Sequence, residues 1–313
     1  MRKFIIDTDT GSDDAVALAL AALSDDIEIL GVTAVAGNVG TKQAALNAKM
    51  TLEVCGKEIA VYPGAKKPLM CERKETISVH GSDGMGGHGM IAPKGEIEKK
   101  RAVEFILEMA ERYPDELEIV ALGPATNIAL AMLLDPDAMK RVKRIWSMGT
   151  PGFGMGNATP VAEFNVFIDP VSYGIMLDFG VPVTVIGFDL CTPGTGFTPK
   201  QLEQMKEGSA AARFLERATS VLRQFNIDTR GVDMVDLPDA VAMAAALWED
   251  VVTGTVDCSA KCVTHTGDAY GQVVFYLKGR TYEAMPQIED YHVTLVTSVD
   301  EALYQSRMRA LLE

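Results

Sequence analysis

The sequence predicts an α/β fold: a single domain over residues 1–313 with a Rossmann-like open, mostly parallel sheet flanked by helices. Continuous apolar runs of strand length recur along the chain, as they do where parallel strands are buried on both faces. Each run is followed by a turn and then by a stretch with helical periodicity. No internal repeat, low-complexity tract or Pro/Ser-rich linker divides the chain.

The first strand is Phe4 to Asp7, an apolar run too short for a helix, and the apolar stretch beginning at Ala15 continues far enough to be one. Ile27 to Val35 is the second strand, ending at Ala36-Gly37-Asn38 before a helix over about Gln43 to Cys55. From Pro63 to Lys99 the chain is rich in Gly, Lys and Met, and a loop of that length in a compact domain is usually functional or mobile. Ala102 to Tyr113 reads as an amphipathic helix and Leu117 to Leu122 as a strand opening through Gly123-Pro124 into a helical segment ending at Leu134. Ile145 to Met148 is a strand, followed by a glycine-rich loop from Gly149 to Asn157 and a helix starting near Pro170. Val183 to Phe188 is strand-like, and Thr198 to Glu249 is mostly helical with a break around Asn226 to Leu237. Val251 to Thr297 holds several β-rich pieces, and Val299 to Leu312 closes the chain as a helix.

With 29 basic and 43 acidic residues the formal charge is −14, and no extended Lys/Arg cluster occurs on any segment, which argues against nucleic acid and anionic membrane as partners. Five scattered cysteines without paired CxxC motifs fit a reducing compartment better than a disulfide framework. The N-terminus enters a strand with no charged-then-apolar leader, and no run of about 18 apolar residues occurs. A cytoplasmic protein is expected.

Ligands of open parallel sheets bind at the carboxyl ends of the strands. The polar residues at those ends or in the loops beyond them include Asp9, Asp13, Asp14, Asn38, His80, Asn157, Glu163, Asn165 and Asp239. Four carboxylates, Asp7, Asp9, Asp13 and Asp14, fall within eight residues, and no Lys or Arg lies between Lys3 and Lys42. Like charges so close raise one another's pKa unless something positive stands between them, and a hard divalent cation prefers such oxygens. The alternative is that Asp13 and Asp14 simply favour a helix N-terminus. Likewise Asp239, behind Pro238 at the start of an apolar helix, reads as a cap as well as a ligand. Amides and carboxylates together suit a polyol, whose hydroxyls need both acceptors and donors.

These residues carry a resemblance. Asp7-Thr8-Asp9-Thr10-Gly11-Ser12-Asp13-Asp14-Ala15 resembles the DxDxGxDDA motif of the inosine-uridine preferring nucleoside hydrolases. The blocks Val35-Ala36-Gly37-Asn38, His80-Gly81-Ser82-Asp83-Gly84, Leu122-Gly123-Pro124-Ala125-Thr126-Asn127 and Asn157 to Asn165 follow in the family's order. The resemblance implies a Ca2+-dependent hydrolase that splits a ribonucleoside into base and ribose. It implies Asp9, Asp14, Asp239 and the backbone carbonyl of Leu122 as calcium ligands, and Asp13, Asn38, Asn157, Glu163 and Asn165 as the holders of the ribose hydroxyls. Asp9 would be the general base for the attacking water, the transition state would be oxocarbenium-like, and Asp7 would support the turn. Homodimers or homotetramers are implied as well.

The chain departs from the family at Pro238, where many relatives have a His before the calcium aspartate that protonates the leaving base. A Pro side chain carries no proton to give, so His80 is the first substitute as a catalytic residue. Two other readings stand beside this one. A non-catalytic nucleoside- or ribose-binding relative would keep the calcium site. A haloacid-dehalogenase-like phosphatase would use Asp7 as nucleophile, but the chain has no convincing GDxxxD motif.

Overall fold

The computed structural model describes residues 1–70, 77–87, 92–284 and 290–312. Cys71 and His88 lie outside them. In chain order the elements are β1 (Arg2–Thr8), α1 (Ser12–Leu23), β2 (Ile27–Ala34), α2 (Thr41–Val54), β3 (Val61–Pro63), α3 (Ile77–His80), α4 (Ala102–Arg112), β4 (Leu117–Ala121), α5 (Thr126–Leu134), α6 (Pro136–Met139) and β5 (Arg144–Met148). There follow α7 (Phe164–Ile168), α8 (Pro170–Asp178), β6 (Val183–Ile186), α9 (Pro199–Met205), α10 (Ala210–Ala218), α11 (Ser220–Arg230), α12 (Pro238–Leu247), β7 (Val252–Cys262), β8 (Val273–Leu277), β9 (Val293–Val299) and α13 (Glu301–Leu312).

The nine strands among the described residues join one sheet in the order β3-β2-β1-β4-β5-β6-β9-β7-β8. Six neighbouring pairs are parallel, and only β7 runs against its neighbours β9 and β8. Chain order reverses direction between β1 and β4, which opens a crevice beyond their carboxyl ends. The apolar runs are continuous because both faces are covered. Phe4 and Ile6 of β1 pack with α1, α12 and α13 on one side, while Ile5 packs with α4, α5 and α8 on the other.

α1 and α12 set the geometry of the crevice. Every residue of α1 from Ser12 to Ala22 is buried, and so is all of α12. The two helices pack on each other, and their many alanines allow close approach. Pro238 sits in the first turn of α12, where a missing N–H costs no helical bond. The contact brings Asp239, in the first turn of α12, beside Asp13 and Asp14 in the first turn of α1.

Several boundaries differ from the sequence expectation. α11 continues through Asn226 to Arg230 and ends on Gly231, whose φ of 68° provides a left-handed cap. The break is therefore shorter than expected. Val299 belongs to β9 and the last helix begins at Glu301. β6 stops at Ile186, and Phe188 opens a short 3-10 turn. α7, five residues wedged between the glycine-rich loop and Pro170, was too short to leave a periodic signal.

Candidate active site

β1 delivers Asp7 and Asp9 to the crevice, and neighbouring segments hold each of them in place. Asp7 is fully buried; its Oδ1 accepts from Thr33 Oγ1 of β2 and from Asn127 Nδ2 of α5 at 2.8 Å. Burial raises its pKa to about 6. Asp9 Oδ2 accepts the backbone N–H of Asn38 at 2.6 Å. Glycine is required on both sides of Asp9: a Cβ on Gly37 would stand 2.0 Å from Oδ2, and one on Gly123 would stand 2.7 Å from Oδ1. Asp14 accepts from Thr8 Oγ1 at 2.5 Å, from Gly11 N at 2.8 Å and from Asn38 Nδ2 at 3.1 Å.

The carboxylates repel one another. Burial and the charge of Asp14 hold the Asp9 carboxyl well above the ordinary range. Burial raises Asp13 to about 6, and burial with the Asp13 charge raises Asp14 to about 7. Asp239 stands well above the ordinary range through burial and the charges of Asp14, Asp13 and Asp9. Oxygens of Asp13, Asp14 and Asp239 lie within 4.8 Å of one another. Asp9 Oδ1 and Asp13 Oδ1 are buried with no hydrogen-bond partner. Two helix N-termini offset part of this charge, but a donor set made of buried carboxylates with two orphaned oxygens fits a hard cation. The tight group contains Asp13 in addition to Asp14 and Asp239, while Asp9 adjoins it. The Leu122 carbonyl accepts from Asn165 Nδ2 at 2.6 Å.

Across the crevice, Glu163 caps α7 by accepting from Asn165 N at 2.9 Å and Val166 N at 3.3 Å, and burial lifts its pKa to about 7. Thr150 helps to hold it: the backbone N–H of Thr150 donates to Glu163, from a left-handed conformation (φ 71°) unusual for a β-branched residue. Asn157 is exposed and accepts from Phe164 N at 2.8 Å. His80 Nδ1 meets Ser12 Oγ at 2.8 Å and lies 3.7 Å from Asp13 Oδ1. Burial lowers its pKa to about 4, so the ring is neutral at neutral pH.

A cavity of about 650 Å³ joins these groups. Asp13, Asn38, His80, Leu122, Asn157, Glu163, Asn165 and Asp239 line it, whereas Asp9 and Asp14, both fully buried, do not. Phe153, Tyr173 and Phe225 are aromatic residues that the sequence offers for stacking on a base, and of these Phe225 lines the cavity. Tyr173 is buried against Ser147, and Phe153 is exposed beside Phe275. Sequence reasoning missed Phe167, Thr229 and Arg230, which also line the cavity, and the holding roles of Thr8, Ser12, Thr33 and Asn127. Thr229 and Arg230 belong to an ordinary amphipathic helix, which gives no local sign of a site.

A profile of the inosine-uridine preferring nucleoside hydrolases matches residues 4–306. Uridine nucleosidase 1 of Arabidopsis thaliana is 34% identical over 271 residues, covering 84% of this chain and 81% of its own length. The structure is similar to that of a plant nucleoside hydrolase, PpNRh1, with a TM-score of 0.91 and 29% identity over 99% of this chain and 98% of the other. It is also similar to a purine-preferring ribonucleoside hydrolase from Gardnerella vaginalis, with a TM-score of 0.89 and 26% identity at the same coverage.

Proposed function

The chain belongs to the inosine-uridine preferring nucleoside hydrolases and is a nucleoside N-ribohydrolase, and from that premise we propose a Ca2+-dependent mechanism in which Asp9 is the general base. The observation that supports it is the pair of buried, partnerless carboxylate oxygens on Asp9 and Asp13 beside a cavity lined with hydroxyl-binding groups. Asp9, Asp14, Asp239 and the Leu122 carbonyl would hold the cation, with Asp13 close enough to share it. When bound, Ca2+ supplies the positive charge that the carboxylates lack and acidifies a water.

Asp13, Asn38, Asn157, Glu163 and Asn165 orient the ribose, offering both acceptors and donors. Asp9 accepts the proton of the water that attacks C1′; its Oδ1 is buried with no hydrogen-bond partner of its own. The carboxylates around the cavity stabilise the positive charge that develops on the sugar as the base departs. His80, neutral at neutral pH, acts as a hydrogen-bonding group near the base and holds Ser12.

The test is release of base and reducing sugar from a panel of purine and pyrimidine nucleosides and nicotinamide riboside, with chelator and with Ca2+ restored. Turnover should vanish on chelation, return with Ca2+, and fall by at least ~10³-fold in Asp9→Ala. An active Asp9→Ala enzyme would remove Asp9 as the base. Ribose binding without base release from any nucleoside would instead leave a binding protein.

A further inference from the structure

We propose that Arg230 receives the departing base, donating hydrogen bonds to its developing negative charge and doing electrostatically what a proton donor at position 238 would do chemically. This rests on the nucleosidase reading above. Pro238 lines the cavity and its side chain has neither donor nor charge. Arg230 is the only Lys or Arg among the described residues lining that cavity.

The guanidinium is held from two sides. Nη1 donates to Asp236 Oδ2, and the group lies over the Phe188 ring, 5.6 Å from its centroid. The Asp236 side chain is 9% exposed while that of Arg230 is 38% exposed, and Arg230 lines the cavity. The left-handed Gly231 that stops α11 immediately after Arg230 leaves the side chain at the helix end, beside Phe225 and Thr229 on the same cavity wall. The carboxylates and amides proposed to bind the ribose line the same cavity. A cation fixed in advance, with five N–H donors in a planar fork, matches the carbonyl oxygens that carry much of the charge of a uracil or oxopurine anion.

The step balances without a protein acid. The bond from C1′ to the base nitrogen breaks and its electron pair stays with the base. The water oxygen bonds to C1′, and its proton passes to Asp9. Arg230 keeps all its protons, as a guanidinium must, and the released base anion is protonated by solvent.

The test compares uridine with 4-nitrophenyl β-D-ribofuranoside, whose leaving group disperses its own charge and needs little help. Arg230→Met should lower kcat on uridine by ~10²-fold and on the nitrophenyl riboside by less than about tenfold, with Arg230→Lys falling between wild type and Arg230→Met on uridine. Equal losses on both substrates, or no loss on uridine, would overturn the proposal. If Arg230→Met does not fold, Arg230→Lys decides: its uridine-to-nitrophenyl rate ratio must fall, and an unchanged ratio refutes the role. Wild-type protein that cleaves neither substrate fails the nucleosidase reading itself; an active wild type with an unchanged ratio in the variants fails only Arg230.

Discussion

Withdrawing divalent cations should destabilise the protein more at alkaline than at acidic pH. The folded chain raises Asp13 to about 6 and Asp14 to about 7, against an ordinary value of 3.8. Below the ordinary value folded and unfolded chains hold these protons alike, so the raised values carry no penalty. As the pH climbs toward 7 the unfolded chain releases them and the metal-free folded chain resists, so stability falls through that window and levels above it. Between about pH 5 and about pH 8 roughly one unit of Asp13's shift and two of Asp14's are exposed, at about 1.4 kcal/mol each, so these two groups contribute ~4 kcal/mol, to which the raised carboxyls of Asp9 and Asp239 add. For a domain of this size that corresponds to roughly 5–10 °C in Tm. Bound Ca2+ stabilises the charged form and should abolish the loss. Calorimetry at both pH values, each with chelator and with excess CaCl2, measures the gap. A calcium-dependent gap no larger at the higher pH, or a chelated protein more stable there, would refute the electrostatic account of the cluster.

Two further outcomes are expected. His80→Ala should lower kcat by up to about tenfold, the value of one hydrogen bond, with a smaller change in KM. Because burial holds His80 near 4, no acid limb near pH 6.5 should disappear with it; the loss of such a limb would make His80 a proton donor. Glu118, buried at the start of β4, accepts from Arg2, Lys143 and Trp146. Although burial pushes its pKa up, the bonds from Arg2 and Trp146 bring it below the ordinary range. Glu118→Ala should cost ~2–3 kcal/mol in urea unfolding, reduced because Arg2 is partly exposed. It should leave kcat unchanged, since Leu122 lies at the other end of the strand. A loss below about 0.5 kcal/mol would contradict the network's importance.

The sequence by itself determined the alternation of strands and helices, because a strand buried on both faces must be apolar throughout and a helix repeats its own period locally. It also made the cluster of Asp9, Asp13 and Asp14 legible, because their neighbourhood is a single turn. Tertiary structure alone decided how the distant parts meet. Asp7 is held by Thr33 and Asn127, which lie 26 and 120 residues away. Asp239 reaches the acidic turn only because two alanine-rich helices pack together, a contact that composition permits but local pattern does not specify. Arg230 was invisible for the same reason: an arginine at the end of an amphipathic helix becomes part of a site only when Asp236 and Phe188 fix it at the cavity wall. The acidic turn and the arginine on the cavity wall are therefore encoded differently, the first in neighbouring residues and the second in the packing of α11 and α12 over the crevice.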